Sequence, residues 1–109
     1  MTVTPAPQRR RTIAPGFFID EAGRRHQLYT TTYIGRSSHN EIVVHHDSIS
    51  RKHAMVLFFD GKFLLNDLGS TNGCCVNGEQ LVHKRYELVD GDVVHIGDLE
   101  FKFEPANKP

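Results

Sequence analysis

The stretch HAMVLFFDGKFLLND, residues 53–67, decides the fold. Two runs dense in aromatic and branched apolar residues flank Asp60-Gly61, a dipeptide that accepts the left-handed backbone of a two-residue hairpin turn. A tight turn there sets the register. Residues whose numbers sum to 121 face each other, so His53 lies opposite Leu68 and, one step into the flanking loops, Ser50 lies opposite Thr71. The segments SISRKH (48–53) and GSTNG (69–73), some twenty residues apart in the chain, are thereby brought to the same end of the fold.

Outward from this hairpin the chain keeps breaking at short intervals, at EAG (21–23), SSHN (37–40), NG (77–78), DGD (90–92) and GD (97–98). The pieces between, GFFI, HQLYTTTYI, EIVV, DVVHI and LEFKF, carry β-branched and aromatic residues and no sustained helical stripe. QLVHKRYELV (80–89) has some helical character but fits a strand and turn in this context. Ten or so short strands with no helical layer to cover them predict an all-β sandwich of two sheets packed face to face.

The 109 residues fit one domain, placed at about 16–104, with a flexible arm over 1–15 and a short tail over 105–109. The arm is rich in Pro and Thr and carries Arg9, Arg10 and Arg11. Beyond it ten basic residues stand against thirteen acidic ones, a net charge of about −3, so no global field draws the protein to nucleic acid or a membrane surface. An anionic ligand has to be held by local groups. No apolar run approaches a membrane span and the start lacks a secretory apolar segment, so the expectation is a cytoplasmic monomer. Cys74 and Cys75 are adjacent and point to opposite faces of a strand, which predicts two reduced thiols with Cys74 inward.

The two loops that meet at one end hold Arg51, Lys52, Ser48, Ser50, Ser70, Thr71, Asn72 and two glycines, with Arg36 close by. Such a donor-rich concavity suits a phosphate, whose three oxygens need several donors at once and whose charge-assisted bonds are about twice as strong as neutral ones. Glycines let backbone amides approach an anion.

At these positions the sequence resembles the forkhead-associated (FHA) domain family. The signature runs Gly35-Arg36, Ser50-Arg51-Lys52-His53, Gly69-Ser70-Thr71-Asn72-Gly73, Asn77-Gly78 and the closing DGDVVHIG (90–97). The resemblance implies a sandwich of about eleven mostly antiparallel strands, of the FHA/SMAD type, that binds phosphothreonine peptides. The family is one of the standing examples of phospho-motif recognition by arginine clusters. It further implies Arg36, Ser50 and Thr71 as phosphate ligands and Arg51, Asn72, Ser48 and Ser70 as peptide contacts. Gly35, His53, Gly69 and Gly73 are implied to support the site. Cys74 and Cys75 depart from the family's usual residues just past the binding loop.

Other chemistries are poorly served. His45 and His46 are consecutive and point apart, with no partner at zinc-ligand spacing, so neither metal nor cofactor is expected. The pairs Cys75 with His53 and Asp90 with Asp92 are the nearest to catalytic sets, and DGD reads better as a turn, so no enzyme is expected. The rival is a phosphate-independent module that binds protein through a sheet face or edge, recognisable by loss of the Arg or the Ser. The chain's own arm is a further candidate ligand, through a phosphorylated Thr12 or Thr4, because about a dozen residues reach roughly 40 Å.

Overall fold

The computed structural model describes residues 11–81 and 85–106. Among these residues eleven strands form two sheets. They are β1 (Ile13–Ile19), β2 (Arg25–Tyr29), β3 (Thr31–Gly35), β4 (Ile42–Val43), β5 (Ala54–Phe59), β6 (Lys62–Asp67), β7 (Cys74–Val76), β8 (Glu79–Leu81), β9 (Arg85–Leu88), β10 (Val93–Ile96) and β11 (Leu99–Pro105). One sheet runs β2-β1-β11-β10-β7-β8 and the other β4-β3-β5-β6-β9. Only the short β3–β4 pairing is parallel among those described. Alternate residues of both sheets turn inward and meet in a core that includes Phe18, Phe101 and Phe103 from one sheet and Val56, Phe63 and Leu65 from the other.

The β5–β6 hairpin has the expected register, from Ala54↔Asp67 through Phe59↔Lys62. Its turn residues Asp60 and Gly61 have φ of 53° and 74°, the pair of left-handed conformations that matches strand twist. Asn77 and Gly78 repeat the arrangement between β7 and β8, with φ of 50° and 86°.

Four features differ from the sequence reading or refine it. The run HQLYTTTYI is two strands in two different sheets, divided at Thr30. The buried Thr32 hydroxyl accepts the Tyr29 N–H at 2.8 Å and holds the chain in this corner. At the N-terminus the fold begins at Ile13, three residues before the expected boundary, because Ala14 is buried and the Thr30 N–H donates to the Thr12 carbonyl. Pro15 sits where the β1–β2 register shifts, a place where a strand tolerates the missing donor, and Gly16 passes so close to the Phe63 ring that a Cβ would lie 2.8 Å from it. At the other end β11 reaches Pro105, one residue beyond the expected limit. In the doubtful segment 80–89, β8 and β9 are strands in different sheets.

This topology gives the sandwich two distinct ends. Strands β3, β6 and β10 finish, and β5, β7 and β11 begin, at the end that carries loops 36–53, 68–73 and 97–98. The start of β1 lies at the other end, since Gly16 pairs with Pro105 at the far limit of β11.

Candidate functional site

Loops 36–53 and 68–73 enclose an open concavity of about 310 Å³, lined by Arg36, Asp47, Ser48, Ile49, Ser50, Arg51, Thr71 and Asn72. Arg36 leaves the end of β3 and its N–H donates to the Ser50 carbonyl at 3.0 Å. Its Nε donates to the Ile49 carbonyl at 3.1 Å, which orients the guanidinium and leaves both Nη groups for the opening. Gly35 makes this path available. A Cβ there would overlap the Arg51 carbonyl and approach Asn40 Nδ2, itself donating to the Arg51 carbonyl at 2.7 Å.

His53 is the brace between the two loops. It is fully buried just before β5, and its Nδ1 accepts the Ser50 N–H at 3.0 Å. That bond assigns the proton to Nε2, which donates to the Gly73 carbonyl at 2.7 Å. One imidazole thus fixes Ser50 on one loop and Gly73 on the other. Directly above it the Thr71 N–H donates to Ser50 Oγ at 3.2 Å, the contact anticipated by the hairpin register. The Ser50 hydroxyl proton remains free to turn toward the concavity.

Asp67, at the end of β6, shapes the second loop. Its Oδ2 accepts the N–H groups of Gly69 (3.0 Å) and Ser70 (3.1 Å), and its Oδ1 accepts the Ser70 hydroxyl at 2.5 Å and the Cys74 thiol at 3.3 Å. An Asp two and three residues before the amides it captures is a recognisable turn signal, and the sequence reading passed over it. Burial, and then the Asp67 carboxylate, push the Cys74 thiol well above its ordinary pKa. Cys75 faces outward and is half-buried, as strand parity implied. The native protein should therefore take up one equivalent of a thiol reagent at neutral pH, at Cys75, and two after unfolding. Mass spectrometry of the labelled peptides checks this.

The structure brings Arg36, Ser48, Ser50, Arg51, Thr71 and Asn72 to one opening, with Ser70 outside its lining. Ser48 is buried, with its Oγ bonded to His46 Nδ1 at 2.8 Å and accepting the Asp98 N–H at 3.0 Å. The Ser70 hydroxyl is committed to Asp67 and also accepts the Gly73 N–H at 2.9 Å. Both hydroxyls are held by other groups of the chain, while Ser48 keeps a place in the lining. Asn72 does double duty: its Nδ2 donates to the Ser48 carbonyl at 2.9 Å, tying the loops, while the residue stays exposed. Gly69 and Gly73 take positive φ (73° and 74°) in the second loop. Lys52 turns away and lies over the Tyr33 ring, 4.7 Å from its centroid.

Sequence reasoning missed Asp47 and Ile49 in the lining and the Gly97-Asp98 turn beneath Ser48. It also missed that His53, Asp67 and Cys74 bring ligand-type atoms within 4.8 Å of one another. The hydrogen bonds just described account for all three. As for the arm, Thr12 is bonded to Thr30 at the far end of the sandwich. The seven residues of β11 put that about 23 Å from the concavity. A phosphorylated Thr12 cannot enter the pocket of its own chain without peeling β1 away, and Thr4 lies outside the described residues.

The sequence model of the FHA domain matches residues 32–97. The chain belongs to the FHA domain family. The transcriptional regulatory protein EmbR of Mycobacterium tuberculosis is 37% identical over 110 residues, covering 94% of this chain and 28% of its own length. This FHA domain thus spans little more than a quarter of that relative. The solved structure of Mycobacterium tuberculosis EmbR in complex with a low-affinity phosphopeptide superposes with a TM-score of 0.80 at 34% identity, over 90% of this chain and 26% of that one. A structure described under phosphothreonine-dependent FHA domain interactions superposes with a TM-score of 0.75 at 30% identity, over 90% of this chain and 99% of that one.

Proposed function

We propose that this FHA domain is a non-catalytic, phosphorylation-dependent protein-binding module that takes phosphothreonine peptides into the concavity between loops 36–53 and 68–73. The observation that carries the reading is the convergence of donors on one opening: the Arg36 guanidinium oriented through its Nε, the Ser50 hydroxyl proton, the Arg51 side chain and the exposed Thr71-Asn72 segment. Arg36 and Ser50 would meet the phosphate, with Thr71 beside them. Asn72 would meet the peptide main chain through the part of its amide that Ser48 does not use. The braces beneath, His53 and Asp67, hold these donors in place before any ligand arrives, which lowers the ordering cost of binding. The EmbR phosphopeptide complex supports the same reading by likeness.

The test is an oriented phosphothreonine peptide library run beside the same library unphosphorylated and beside a phosphoserine version. Retention of the phosphothreonine library alone among the first two is expected, and equal retention of both would overturn the proposal. Likeness to the structure described under phosphothreonine-dependent FHA domain interactions implies a place for the threonine γ-methyl beside the phosphate. Burying one methyl is worth roughly 0.8 kcal/mol. Phosphoserine should therefore bind several-fold more weakly by calorimetry in the same peptide.

A further inference from the structure

The concavity proposed to take a phosphate also contains an acid. Asp47 lines it together with Arg36 and Arg51, is exposed, and makes no hydrogen bond or ion pair with any other described residue. Its place is fixed. The Ile49 N–H donates to the His46 carbonyl at 3.1 Å, which makes Asp47 a corner residue of a turn, and the Ser48 N–H donates to His46 Nδ1 at 3.0 Å. On the other side of Ser48, Asp98 is anchored by its own N–H on Ser48 Oγ, with its carboxylate exposed. Asp47 is therefore an unpaired acid in the same lining as two arginines.

An uncompensated carboxylate beside a bound phosphate dianion repels it. Neither arginine neutralises Asp47, since no ion pair joins it to Arg36 or Arg51 within 4.0 Å among the described residues. A ligand that brings its own cation removes that repulsion and gains an ion pair. Resting on the phosphothreonine reading above, we infer that Asp47 is a specificity-determining residue. It selects peptides carrying Lys or Arg close to the phosphothreonine, so that the ligand class is a phosphothreonine in a basic context. The site then matches a ligand that carries both charges, its phosphate on the arginines and its ammonium or guanidinium on Asp47.

The experiment is a fluorescence titration of the whole chain with phosphothreonine peptides that place Lys, Ala or Glu in turn at each of three positions on either side. Wild type, Asp47→Asn and Asp47→Lys are compared, and a thermal melt checks that each variant is folded. At one or more positions Lys should bind about threefold tighter than Ala, and Glu about threefold weaker, the size of an exposed ion pair. Asp47→Asn should level the three peptides and Asp47→Lys should reverse their order, a reversal that a purely structural role of Asp47 would not produce. The wild-type preference should shrink in high salt. A Lys preference that survives Asp47→Asn, or no charge preference while phosphorylated peptides still bind, overturns the assignment of Asp47 and leaves the phosphothreonine reading standing. Equal binding of phosphorylated and unphosphorylated peptides overturns both.

Discussion

Arg36→Ala is expected to weaken phosphothreonine-peptide binding by one to two orders of magnitude or more while the melting temperature stays within about 2 °C of wild type. Arg36 is exposed, and the one side-chain bond it gives up, from Nε to the Ile49 carbonyl, belongs to the lining of an open concavity where water can take the donor's place. What is lost is one or two charge-assisted bonds to the phosphate, at about 1.5–3 kcal/mol each. Arg36→Lys should recover only part of the affinity. An ammonium keeps the charge but cannot both donate to Ile49 and present a planar fork to the phosphate. Calorimetry with one phosphopeptide, beside a thermal melt, separates the two quantities. A variant that melts early but binds normally would show that Arg36 is a scaffold residue.

His53→Ala should have the opposite signature, with stability and binding falling together. The imidazole is fully buried and holds the Ser50 N–H and the Gly73 carbonyl. Removing it opens a cavity and strips partners from two buried backbone groups, and each such loss costs about 1–3 kcal/mol. At about 4–8 °C per kcal/mol for a domain near this size, the melting temperature should drop by roughly 8 °C or more. Binding should weaken because Ser50 and the 69–73 loop lose their common anchor. His53→Gln tests the mechanism, since an amide offers both an acceptor and a donor, and should recover part of the stability. A stable His53→Ala protein that had lost only binding would make His53 a ligand contact and not a buried brace between the loops.

These contrasts were partly legible in the sequence, and the reasons are specific. The Asp60-Gly61 turn set a register that held through six residue pairs, so the Ser50–Thr71 contact followed from arithmetic on residue numbers. Strand parity likewise placed Cys74 inward and Cys75 outward. The commitments of the Ser48 and Ser70 hydroxyls were not legible in the same way. Ser48 is held by Asp98, fifty residues away in the chain, and such a partner is invisible to any local pattern. Ser70 is held by Asp67, three residues away, where a local turn signal existed and was outweighed by the expectation that loop serines face the ligand. The division of HQLYTTTYI at Thr30 escaped because every residue in it favours a strand. The corner is made by one buried hydroxyl bond, Tyr29 N–H to Thr32. The early start of β1 was hidden by Ala14-Pro15-Gly16, three residues of low strand propensity that the bulge tolerates.

Whether the opening between loops 36–53 and 68–73 holds the phosphate is decided by amide NMR during titration with a retained phosphothreonine peptide and its unphosphorylated counterpart. Saturable shifts are expected at Arg36, Ser50, Arg51, Thr71 and Asn72 with the phosphorylated peptide and none with the other. Shifts clustered instead on the outward faces of the sheets, or the same shifts with both peptides, would contradict a phosphate site there.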